Sequence, residues 1–192
     1  APPELRLEHA PMSDIIDALA GGQVTATALT KAYLARIAAY DRGGPALNSV
    51  RALNPDALAI ASGLDGSRPS AKRPLAGVPI LVKDNIATSD KQPTTAGSLA
   101  LEGARAKRDA TVVKLLRKAG AVILGKANLT EFANFIAFEM PGGYSSLGGQ
   151  VRNPYAPALM GEHNIPVVTP GGSSAGSAVA VAAGLCAASI GT

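Results

Sequence analysis

The chain has 192 residues, 47% hydrophobic and 17% charged, with 21 Gly and 14 Pro that follow no short period. This composition belongs to a globular fold with a sizeable core and excludes collagen-like and disordered chains. A formal net charge of +4 with four Tyr, three Phe and no Trp supplies neither the charge nor the stacking surface of a nucleic-acid binder. The single cysteine, Cys186, excludes an internal disulfide, and the two distant histidines, His9 and His163, lack metal-ligand spacing. No apolar run reaches the roughly 20 residues of a membrane-spanning helix. The chain opens on Ala1-Pro2-Pro3 without a methionine, which leaves the compartment open between the cytoplasm and export with a leader removed.

In chain order, Ser13 is expected to cap a short helix over 14–20, closed by Gly21-Gly22. Thr25 is placed to cap a second helix running to Tyr40, with Leu29, Ala32, Tyr33, Ile37 and Tyr40 on one face at the 3.6-residue period. Gly43-Gly44 ends it. Residues 47–53 read as a strand, and Asn54-Pro55 open a helix reaching 64. A polar loop over 66–74 leads into 77–82, a continuous apolar run suited to a strand buried on both faces. Asp109 is expected to cap a helix over 110–118, followed by a strand over 121–124. Asn128 or Thr130 opens a further short helix. Lys114, Arg117 and Lys118 share a helix face and read as a solvated one. Residues 137–170 hold few periodic segments and read as a long irregular loop, a length that is usually functional or covered. A small-residue helix over 175–184 and a buried strand over 187–192 complete the chain.

Strands that alternate with helices, and that are continuous apolar runs, predict an α/β fold: a central mixed, mostly parallel sheet covered by helices. Residues 1–65 form its mainly helical N-terminal segment and 75–192 the start of the α/β core. The last apolar strand is followed by no turn, so residues 1–192 are expected to be the N-terminal portion of a single larger domain. Apolar surface is expected to stay open beside that strand.

Two stretches carry chemistry. Gly171-Gly172-Ser173-Ser174-Ala175-Gly176-Ser177 puts glycines and hydroxyls at the start of a helix. Small residues there serve as a cap for close packing, as an anion or phosphate cradle, or as the seat of a reactive serine. Lys83 directly follows the buried run Ile80-Leu81-Val82. It is either a strand-end lysine reaching solvent or a desolvated one. Burial lowers a lysine pKa because the ammonium loses hydration, and a neutral amine is a general base. Asp84 beside it either orients the lysine or caps backbone, and Gly97-Ser98 either brings a hydroxyl near Lys83 or forms a plain turn.

Five stretches in order, 77–85, 94–98, 127–135, Arg152-Asn153-Pro154-Tyr155 and 171–177, resemble the amidase signature family over about residues 24–192. The resemblance implies hydrolysis of a carboxamide C–N bond by a Ser-Ser-Lys triad, without metal or organic cofactor. Lys83 would be the base and Ser173 the bridging serine after a cis peptide bond. Gly97, Ser98, Gly171, Gly172 and Ser174 would be supporting or substrate-binding residues. The family's nucleophilic serine follows a threonine-led stretch with which Thr192 aligns, so it is expected beyond Thr192. The implied partners are a small-molecule or peptide amide and the remainder of the same polypeptide, with no nucleic acid or membrane. Residues 158–169, which include His163, look like an insertion before the glycine-serine motif. The 128–135 stretch looks closer to peptide amidases than to the tRNA-dependent amidotransferases. Two other readings stay open: a phosphate-binding α/β module, which lacks a Gly-x-Gly-x-x-Gly or Gly-Lys-Ser/Thr loop, and a non-catalytic scaffold.

Overall fold

The structure, a computed structural model, describes residues 5–192. Helix α1 (Met12–Ala20) begins after Pro11. Ser13 therefore sits inside the first turn rather than capping it, and its hydroxyl bonds the Asp14 carboxylate instead. Thr25 caps α2 (Ala26–Arg36) as expected, its side chain accepting from Ala28 N at 3.1 Å. The chain then widens into a π-helical turn (Ile37–Arg42) before Gly43.

Positive φ at Ala46 and Asn48 delays the first strand, so β1 spans only Val50–Leu53. The Asn54 side chain does not begin a helix directly. It accepts from Asp56 N across a turn, and α3 runs Ala57–Ser62. Strand β2 (Pro79–Lys83) is buried throughout. Its side chains alternate between faces: Leu81 joins a large cluster with Leu29, Tyr33 and Val179 from the helices, and Val82 joins a smaller one with Val113 and Ile123. Each such fully buried side chain contributes about 1.5–3 kcal/mol, which is why the run resists any other placement.

Helix α4 (Thr111–Lys118) crosses from β2 to β3 (Val122–Ala127). Asp109 does not cap it; its carboxylate takes Ser89 N at 2.7 Å and Arg117 Nε at 3.1 Å. Arg117 also pairs with Asp90, so it leaves the solvated face expected for it with Lys114 and Lys118. After β3, the segment Glu131–Asn134 is only a broken 3-10 turn, because Phe132, Ala133 and Asn134 have positive φ. The expected irregular stretch holds two short hairpins, β4 (Tyr144–Ser145) with β5 (Gly149–Gln150) and β6 (Leu159–Met160) with β7 (Ile165–Pro166). Helix α5 (Ala175–Ala182) and strand β8 (Ala188–Ile190) follow.

The main sheet has the order β1-β3-β2-β8. Strands β2, β3 and β8 are parallel and β1 is antiparallel to β3. The fold is thus the expected α/β arrangement with a mixed, mostly parallel sheet. Strand β8 lies at its edge and is half-buried. Large side chains stand in solvent, Phe135 and Phe138 almost wholly so. Among the described residues no helix is long and apolar enough to cross a membrane.

Candidate active site

In open α/β sheets, ligands bind beyond the carboxyl ends of the parallel strands. Here those ends bring together Lys83 on β2, Thr130 after β3 and Thr192 after β8, facing the turn that enters α5. Alternation along β2 puts Lys83 on the same face as Leu81, toward α5. Its side chain is fully buried. Its Nζ lies 2.7 Å from Ser173 Oγ, 3.0 Å from Ser174 Oγ and 2.8 Å from Thr192 Oγ1. All three partners are neutral hydroxyls, and among the described residues Lys83 takes part in no ion pair. Burial holds its amine below the ordinary lysine range. An amine with that environment and those partners can accept a hydroxyl proton.

The turn before α5 needs its glycines for two reasons. Gly171 has φ +78, which only glycine adopts without strain. A Cβ on Gly172 would stand 2.7 Å from Thr130 Oγ1, so no side chain fits there. The Gly172–Ser173 peptide bond is cis. The backbone N of Thr130 donates to Ser173 O at 3.0 Å and so fixes the serine's peptide plane. Ser174 Oγ accepts from Thr192 N at 3.2 Å, and Asn85 Nδ2 donates to Thr192 Oγ1 at 3.2 Å. Both hydroxyls at the start of α5 are therefore turned onto Lys83 and its neighbours.

Other candidates are placed elsewhere. Gly97 (φ +78) turns the chain against Ser145 and Leu129. The Ser98 hydroxyl caps the 3-10 turn Leu99–Leu101 by accepting from Ala100 N, and no hydrogen bond joins it to Lys83. Asp84 does not touch the Lys83 amine either. Its buried carboxylate takes the Arg51 guanidinium and the Thr95 hydroxyl, while its carbonyl accepts from Thr95 N and Ala96 N. It pins the loop after Lys83. His163 is exposed and lines a cavity of about 580 Å³ with Arg42 and Arg152, which Lys83 and Ser173 do not line. Among the described residues no group of three His, Cys, Asp or Glu could hold a metal.

Two residues that sequence reasoning passed over support this arrangement. Lys126, in register with Val82 and so on the sheet face opposite Lys83, is fully buried. Its Nζ donates to Ile86 O at 2.6 Å and Thr94 Oγ1 at 2.9 Å. Arg51 on β1 supplies the countercharge for Asp84. A lysine inside an apolar strand was a visible signal for the first; nothing local marked the second.

Known proteins are similar to this chain in sequence and fold. A Schizosaccharomyces pombe protein that carries the name amidase is 44% identical over 190 residues, 98% of this chain and 30% of its own. A glutamyl-tRNA(Gln) amidotransferase chain of Chloroflexus aurantiacus is 42% identical over 97% of this chain and 35% of its own. The crystal structure of the peptide amidase of Stenotrophomonas maltophilia superposes with a TM-score of 0.84 at 46% identity, over 95% of this chain and 36% of that one. The chain thus spans about a third of the length of the relatives it matches. The family model Amidase covers residues 28–192, a span that contains Lys83, the glycine-serine turn and every strand of the main sheet, and the chain belongs to the amidase family.

Proposed function

We propose that this chain supplies the base and the bridging serine of an amide hydrolase. The observation that carries the reading is the 2.7 Å approach of the buried Lys83 Nζ to Ser173 Oγ, with no ion pair to the lysine among the described residues. The neutral lysine accepts the Ser173 proton while the Ser173 hydroxyl accepts one from a nucleophilic serine. That serine attacks the amide carbonyl, the C–N bond breaks, and the relayed proton leaves with ammonia or an amine. Water then cleaves the acyl-enzyme by the same relay. The nucleophile belongs to sequence beyond Thr192, in keeping with the greater length of the relatives. Ser174 and Asn85 hold the Thr192 end of the site in place, and Gly171 and Gly172 allow the tight turn that presents Ser173.

The substrate class is a C-terminal or simple carboxamide. Support comes from the peptide amidase structure at 46% identity. The amidotransferase relative, 42% identical, favours a second reading, in which the amide nitrogen is transferred rather than released.

Ammonia release from a simple peptide amide by the full-length polypeptide tests the reading. Lys83→Ala removes the base and lowers turnover about 10²–10⁴-fold. Lys83→Arg fails equally, because a guanidinium stays protonated. Full activity in Lys83→Ala, or robust turnover by residues 1–192 alone, would sink it.

A further inference from the structure

The turn that carries Ser173 is held by a strap, and one side chain fastens the strap. Residues Gly142 and Gly143 lie against the turn: a Cβ on Gly142 would stand 2.7 Å from Gly171 O, and one on Gly143 would stand 3.0 Å from Ala175 Cβ. Thr130 sits between strap and turn and is 1% exposed. Its Oγ1 accepts from Gly143 N at 2.8 Å, and the same oxygen abuts Gly172. Its backbone N donates to Ser173 O at 3.0 Å. One residue thus grips the strap through its side chain and the serine through its main chain. The strap is tied at its far side as well, where Gln150 Nε2 donates to Gly142 O at 2.7 Å and Val151 N donates to Gly143 O at 3.0 Å.

From this convergence we infer that Thr130 is a positioning residue for the reaction, its hydroxyl oxygen setting where Ser173 Oγ meets Lys83. This rests on the hydrolase reading above. Thr130 makes no hydrogen bond to Lys83 or to the Ser173 hydroxyl. It acts by fixing the Ser173 carbonyl and blocking any drift of Gly172. Loss of the acceptor leaves the buried Gly143 N–H unpaired, and the strap relaxes from the turn to find another partner. The Ser173 hydroxyl then loses the alignment that proton relay requires. The requirement is for an oxygen acceptor at this place, not for threonine as such, so serine satisfies it and valine, of the same shape, does not.

The experiment measures kcat and KM for amide hydrolysis by the full-length polypeptide carrying Thr130→Val, Thr130→Ser or Ser173→Ala, with circular dichroism to verify folding. Thr130→Val is expected to lower kcat on the order of 10²-fold with KM nearly unchanged, the scale of a misplacement near 1 Å. Thr130→Ser is expected to restore the wild-type rate, which recovery of packing alone would not do. Should Thr130→Val fail to fold, Thr130→Ala, which also lacks the acceptor and takes less space, replaces it. If Ser173→Ala is inactive while the acceptor-less variant keeps wild-type kcat, or raises KM alone, the positioning role is refuted and the hydrolase reading stands. If Ser173→Ala keeps the wild-type rate, the hydrolase reading itself falls, and this inference with it.

Discussion

Lys126 offers a stability measurement that needs no substrate. It is fully buried, and burial lowers its pKa from 10.5 to about 8, with Asp84 and Asp90 acting the other way. The folded-state pKa lies below the unfolded one, so below about pH 8 both states hold the proton and the folded state bears the whole desolvation cost. As pH climbs from about 8 toward 10.5, the folded protein sheds the proton first, the unfolded chain binds more protons, and stability rises. Each pKa unit is worth about 1.4 kcal/mol, so the full window is about 3.5 kcal/mol, and the first 1.5 units above pH 8 give about 2 kcal/mol. The perturbation is Lys126→Met. It also orphans the Ile86 carbonyl and the Thr94 hydroxyl, at about 1–3 kcal/mol for each buried group, so the stability offset at neutral pH mixes opposing effects. The pH slope does not mix them. Urea melts of both proteins from about pH 7 to 9.5 give a difference in which Lys83 and the surface groups cancel. Wild type should gain about 2 kcal/mol on Lys126→Met across that range. A difference that stays flat would refute the buried charged lysine.

Arg51→Met leaves the Asp84 carboxylate buried without its guanidinium partner, which lies 2.5 Å away. The cost should be about 3–5 kcal/mol in a denaturant melt, because breaking a buried pair strands a charge. Adding Asp84→Asn should recover part of it, and a loss under about 1 kcal/mol for Arg51→Met alone would contradict the pairing. Cys186 is 4% exposed, and burial pushes its thiol up to about 12. Iodoacetamide should therefore label it only as fast as the protein unfolds, and native-state labelling at the rate of a free thiol would show that the α5–β8 corner is open.

The strand over 79–83 was legible in the sequence because a continuous apolar run has one satisfactory environment, burial on both faces. The glycine-serine turn and Lys83 stood out as candidates, but their local chemistry left a plain cap and a solvent-reaching lysine open, and only the family resemblance joined them into one site. Local signals failed where a side chain found a better partner far away. Asp109 looks like a cap but is drawn to Ser89 and Arg117. The turn after Thr130 is not a helix: three successive residues take positive φ, and Phe132 N is spent on the distant Ala96 carbonyl. What only the tertiary structure decided is the distance at which Lys83 meets Ser173, ninety positions apart, the pairing of Arg51 with Asp84, and the seat of Thr130 against the serine turn. Residue type fixes which groups can hold a proton or a charge. Only the parallel order of β3, β2 and β8 fixes which of them share the same end of the sheet.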